Sequence, residues 1–127
     1  MRTIIKGKQT ELTPAIRAYV EAKIIGPATR LVGSSVDALL EIEVSRTSKH
    51  HRKGNVWWVE ANLKIDKHLI RAEEEGEDPH AVIDIVENEL LREIKSFKGK
   101  KKTKDIRTAR KIKGALKDYA WEISQNK

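Results

Sequence analysis

The chain has no cysteine among its 127 residues. Disulfides and thiolate metal sites are excluded, in keeping with a reducing cytosol. It also has no apolar run approaching the roughly 20 residues that cross a bilayer, and no signal-peptide pattern at its start. A cytoplasmic protein without a membrane partner is expected. The short motifs of common chemistry are missing as well: there is no HExxH, no GxSxG and no Walker loop. The four histidines do not supply a substitute. His50 and His51 are adjacent in a cationic stretch, which repels a metal ion. His80 and Asp84 stand at i and i+4 of one helix, a spacing that usually makes only a hydrogen bond. Neither an enzyme nor a cofactor or metal site is expected.

Prolines number only three, and each has positional meaning. Pro14 follows Thr13 and Pro79 follows Asp78. Each pair reads as an N-cap followed by a first helical residue that has no N–H to lose. Pro27, after Gly26, should end or kink the first helix.

What the chain does have is charge, and it comes in blocks. The formal net charge is +7. Residues 1–63 hold 10 Lys and Arg against 6 acids, residues 64–94 hold 4 against 10, and residues 95–127 hold 12 against 3. Segregation of this kind suggests a directed field, as in a binder of nucleic acid or of an anionic surface. Its bland alternative is solubility with a solvated tail.

Hydrophobic spacing predicts the elements. A short β-rich run over residues 2–6 stops at Gly7. A helix from Pro14 buries Ala15, Ile16, Tyr19, Val20, Ile24 and Leu31. Residues 36–46 alternate, with Val36, Ala38, Leu40, Ile42 and Val44 on one side. Residues 47–55 form an exposed loop. Residues 56–66 alternate again, with Trp57, Val59, Ala61, Leu63 and Ile65 inward. A turn at Asp66 and Lys67 leads to a short strand over 68–73, and residues 74–77 link it to the next helix. That helix opens at Pro79 and buries Val82, Ile83, Val86, Leu90 and Ile94; Gly99 is a plausible stop. The order β-α-β-β-β-α implies an α+β two-layer sandwich, with both helices on one face of a four-stranded sheet. The domain reads as residues 1–104. Residues 105–127 read as a basic extension, folded as a third helix or left as a solvated tail.

The strongest functional signal is cationic. Lys8, with Lys6, follows the first strand. Arg17 and Lys23 lie on the first helix. Arg46, Lys49, Arg52 and Lys53 surround the hairpin loop. Arg92, Lys95 and Lys98 run along the later helix, with Lys101 and Lys102 beyond. If the two helices lie side by side, Arg17, Lys23, Arg92 and Lys95 share one face. Such a face binds phosphates and releases their counterions, which positions the protein without reading sequence. Trp58 points away from Trp57, onto the open sheet face, where it is a candidate for base stacking.

Several stretches carry a resemblance. They are Ile5-Lys6-Gly7-Lys8, the run from Glu11-Leu12-Thr13-Pro14 to Lys23, Glu60-Ala61-Asn62-Leu63, Ala81-Val82-Ile83-Asp84, and Leu90-Leu91-Arg92-Glu93-Ile94-Lys95-Ser96-Phe97-Lys98. Over residues 2–104 this ordered set resembles the ribosome hibernation-promoting factor family. The resemblance implies a βαβββα fold that occupies the decoding channel of the small ribosomal subunit and silences idle ribosomes. It implies rRNA contacts at Arg17, Lys23, Arg92, Lys95 and Lys98, and a protein monomeric off the ribosome. His80 stands where family members often carry an aromatic, a short form without the long form's dimerising domain is expected, and the tail with Tyr119 and Trp121 has no match. Two other readings stay open: a free-standing double-stranded-RNA module, and a protein-interaction adaptor whose tail helix docks on a partner.

Overall fold

The computed structural model describes the backbone of residues 1–34, 37–47 and 56–125. Side chains are described for these except at 47, 104, 105, 108, 109 and 113–125. The order is β1 (Arg2–Lys8), a helix in three parts, β2 (Ala38–Thr47), β3 (Val56–Ile65), β4 (His68–Gly76) and α3 (Pro79–Gln125). The three-part helix consists of α1 (Pro14–Val20), a π turn (Glu21–Ile25) and α2 (Gly26–Val32). One sheet holds all four strands in the order β1-β2-β3-β4. β1 is parallel to β2, and the other pairs are antiparallel. This is the α+β sandwich that the patterning implies.

Strand alternation sets the layers. Leu40 pairs with Leu63, Ile42 with Ala61 and Val44 with Val59. All six are buried, and they meet the helical stripe of Val82, Ile83, Val86, Leu90 and Ile94. Glu41 with Asn62, Glu43 with Glu60 and Ser45 with Trp58 alternate onto the opposite face. The core is therefore one layer between sheet and helices, built from two periodicities.

Several local expectations are corrected. Lys6 and Lys8 lie inside β1 rather than after it. β4 runs on to Gly76, so Glu73, Glu74 and Glu75 are strand residues paired with Glu60, Val59 and Trp58. Strand pairing overrides the low β propensity of that acidic run. Ala15 is exposed, because Pro14 and Ala15 begin the helix on its solvent side.

Gly26 and Pro27 do not end the first helix. The chain widens into a π turn just before them, with the Gly26 N–H donating to the Glu21 carbonyl. Proline offers no N–H to the ladder, and a local change of winding accommodates it. The buried residues there are Ile16, Val20, Ile24, Ala28 and Val32, every fourth position. A 3.6-residue helix drifts about 40° at each such step, and the π turn takes up part of that drift. Ala28 and Val32 consequently belong to the stripe, and Leu31 is half-buried.

Gly99 does not stop α3 either. An interior glycine costs a helix only about 1 kcal/mol relative to alanine. The neighbouring lysines are good helix formers, and the Thr103 hydroxyl donates to the Gly99 carbonyl at 2.9 Å. A single helix thus replaces the two elements expected around Gly99. The chain divides into two compact units, Met1–Lys95 and Ser96–Lys127. The first contains the sheet and its core; the second is helical to Gln125. The expected inward position of Val36 and the loop over 48–55 lie outside the described residues.

Candidate nucleic-acid interface

Two caps set the phase of the helix layer. The Ile16 N–H donates to Thr13 Oγ1 at 3.2 Å, so α1 starts at Pro14. The His80 N–H donates to Asp78 Oδ1 at 3.0 Å, so α3 starts at Pro79. Each cap contributes about 1 kcal/mol and, by choosing the first residue, chooses which side faces the sheet. With Ile16 and Val20 turned inward on α1 and Val82, Ile83 and Val86 inward on α3, the flanking positions Tyr19 and Asp84 meet.

That meeting is polar. The Tyr19 hydroxyl donates to Asp84 Oδ1 at 2.6 Å. The His80 ring stands edge-on to the Tyr19 ring, with centroids 4.6 Å apart and planes at 68°. Lys23 Nζ lies 4.0 Å from Asp84 Oδ1 and 5.8 Å from the Tyr19 ring centre. The hydrogen bond to Asp84, then burial and the Asp84 charge, push the Tyr19 phenol up to about 12. His80, offered by sequence as a partner of Asp84, instead lies 3.7 Å from Asp78 Oδ1 through Nδ1.

The candidate cations are distributed unevenly around this junction. Lys23 is part of it and half-buried; Arg17, Arg92 and Lys95 are exposed. Lys95 follows Asp84 by eleven residues, which returns it to within about 20° of the same stripe of α3. Arg92 stands about 80° round from that stripe. Arg17 precedes Tyr19 by two residues, about 200° round α1, on the opposite flank of its helix. Lys23, ion-paired with Asp84, therefore lies on the same side as the stripe that carries Lys95, whereas Arg92 and Arg17 are turned away from it on their own helices. The helix geometry also adds Arg30, exposed and about two turns past Lys23, which sequence reasoning missed. The seven-residue step from Lys23 was the available signal.

Acids share the layer. Glu21 and Glu93 are exposed, and Glu87 and Glu89 are half-buried. Across residues 1–95 the chain holds 15 Lys and Arg against 16 acids, a net of −1.

On the open sheet face Lys8 is exposed and paired in register with Ser45, which pairs in turn with half-buried Trp58. Near Trp58 on that face, Glu60 has only 11% of its side chain exposed. It is held by Arg71 at 3.1 Å and by the Asn62 amide at 2.8 Å. Arg46 is exposed with its guanidinium 5.3 Å from the Trp57 ring centre, and Trp57 is half-buried rather than part of the core. Lys98, Lys101 and Lys102 are exposed within Ser96–Lys127. Lys49, Arg52 and Lys53 lie outside the described residues. Among the described residues no group of three or more His, Asp or Glu is placed to hold a metal ion, and no helix is long and apolar enough to cross a membrane.

Residues 3–102 match the family model described as sigma 54 modulation protein / S30EA ribosomal protein. The chain belongs to this family. Among its relatives are proteins called ribosome hibernation promotion factor. That of Lactococcus lactis is 36% identical over 96 residues, 74% of this chain and 48% of the relative. That of Staphylococcus aureus is 31% identical over 98 residues, 77% of this chain and 48% of the relative. The chain thus spans about half the length of the curated relatives it matches. The crystal structure of the Thermus thermophilus Protein Y N-terminal domain superposes with a TM-score of 0.61 at 28% identity, over 76% of this chain and 99% of that one. A ribosomal subunit interface protein from Coxiella burnetii has the same fold, with a TM-score of 0.61 at 19% identity, over 78% of this chain and 99% of that one.

Proposed function

We propose that this protein binds the small ribosomal subunit through its rRNA, occupies the decoding channel, and holds idle ribosomes inactive without catalysing a reaction. The observation that carries the reading is the family match over residues 3–102, whose curated relatives are named for promoting ribosome hibernation. The fold suits this role, since helices capped at Thr13 and Asp78 present Lys23, Arg30, Arg92 and Lys95 on a sheet-backed layer. Cations fixed by packed helices meet phosphates without first being ordered, so less entropy is lost on binding. Lys8 and Arg46, with Lys49, Arg52 and Lys53 of the hairpin loop, are further phosphate contacts in this reading, and Trp58 is a stacking surface. Arg17 engages a separate stretch of backbone, on its own flank of α1. The protein works in the cytoplasm, as a monomer when off the ribosome.

Co-sedimentation with purified small subunits, at low and moderate salt, tests the reading. The protein should pellet with subunits at low salt, and Lys23→Glu, Arg92→Glu and Lys95→Glu together should weaken that pelleting, most visibly at moderate salt. Failure of the unaltered protein to pellet at any salt refutes the reading. Equal affinity for a plain RNA duplex would favour a free-standing duplex-RNA module instead.

A further inference from the structure

The net charge of +7 does not reside in the folded sandwich. Met1–Lys95 sums to −1, whereas Ser96–Lys127 holds 11 Lys and Arg against 3 acids, a net of +8. The family match ends at residue 102, so most of the second unit lies beyond it. We infer that the part of α3 that begins at Ser96 is an RNA phosphate-backbone-binding helix and the main source of the protein's electrostatic affinity. The inference rests on the RNA-binding part of the proposed function, not on the RNA being ribosomal, and it adds where on the chain the binding energy arises.

The distribution of cations around the helix selects the partner. Lys98, Lys100, Lys101, Lys102, Arg107, Arg110 and Lys111 are all exposed. At about 100° per residue, and counting from Lys98, they fall at roughly 0°, 200°, 300°, 40°, 180°, 120° and 220°. Cations therefore point to every side. A helix that lies on a lipid surface needs the reverse arrangement, with an apolar stripe opposite a basic one. Here Ile106 and Ile112 are exposed, at 42% and 57%, but Lys102 and Arg110 flank the first in angle and Lys101 and Lys98 the second. An all-round positive helix fits a cleft that presents phosphates from more than one side, as folded RNA does. Its contacts are sequence-independent and steeply dependent on salt.

The test uses full-length protein with Lys98, Lys100, Lys101, Lys102, Arg107, Arg110 and Lys111 all changed to Gln. Glutamine matches lysine in helix propensity, so far-UV circular dichroism should be unchanged. Affinities for the small subunit and for a plain RNA duplex are measured across a salt series. Each lost phosphate contact lowers the slope of log affinity against log salt by about 0.7–0.9. The variant should bind with a slope shallower by about 5. A companion variant, Lys23→Gln with Arg92→Gln and Lys95→Gln, should lose no more than about 3. If the seven-fold variant keeps the original slope on the subunit, the inference is wrong, whatever becomes of the ribosomal reading. If the unaltered protein binds duplex and subunit equally, and the variant loses its slope on both, the ribosomal reading falls and this inference stands. Displacement of RNA by phosphatidylserine-containing vesicles would overturn the inference in favour of a lipid partner.

Discussion

Met1–Lys95 and Ser96–Lys127 solve different physical problems with the same amino acids. The first unit is nearly neutral, and among the described residues every buried apolar side chain lies within it, from Ile16 to Ile94. The second carries +8 and none of those buried side chains. Structure in the first is held by burial. Among the described residues of the second, it rests on helix propensity and on local bonds such as that from Thr103 to the Gly99 carbonyl. A charged face on a packed domain is interspersed with acids such as Asp84, Glu87 and Glu93, which offset mutual repulsion among cations. A solvated helix tolerates one sign of charge, because water and salt screen its neighbours.

Core deletion should break the comparison most strongly. Leu90 is fully buried in the sandwich. Leu90→Ala should cost about 2–5 kcal/mol in urea unfolding. Ile112→Ala, at an exposed position, should change stability by less than about 0.5 kcal/mol. Equal effects would mean that the second unit has a core of its own.

Caps and interior glycines come next. Asp78→Ala removes the acceptor for the His80 N–H and should cost about 1 kcal/mol of global stability. Gly99→Ala should act in the opposite direction. Apart from the helix's own adjoining backbone, nothing lies within 4 Å of the added methyl group, and alanine favours the helix by about 1 kcal/mol. Thermal circular dichroism should show greater helicity, with little change in the unfolding of the sandwich. Loss of helicity would show that Gly99 is a working hinge.

The smallest expected effect is confined to alkaline pH. Tyr19 is pushed up to about 12 from 10.0. The unfolded chain therefore gives up this proton before the folded protein does. The stability that this raised pKa contributes is complete below about pH 10 and declines as pH rises toward 12. Tyr19→Phe should flatten that decline. An unchanged pH profile would show that the Tyr19–Asp84 hydrogen bond does not persist in solution.

Much of the fold was legible because it follows from periodicity and caps. The alternation of Leu40, Ile42 and Val44 against Val59, Ala61 and Leu63, the stripe from Val82 to Ile94, and the starts at Thr13 and Asp78 are local signals, and the structure has them all. The errors share a cause. β4 continues through Glu73, Glu74 and Glu75 because β3 offers a pairing edge, and the first helix passes Gly26 and Pro27 because a π turn absorbs them. In both places backbone pairing, with a neighbouring strand in one and within a rewound helix in the other, outweighed the local preference of the residues.

The candidate site was less legible. Lys23, Arg92 and Lys95 were visible as cations on helices, yet which flank each occupies depends on how the stripes are phased. Arg30 was overlooked and Arg17 fell on the other side of α1 for that reason. The sequence alone determined the order of elements, most of the inward-facing residues and the large excess of positive charge in the last quarter of the chain. These depend on spacing and composition, which no packing can change. Only the tertiary structure decided that Tyr19 meets Asp84, and with it which cations stand together, because contacts between residues 65 positions apart arise from helices docking on a sheet.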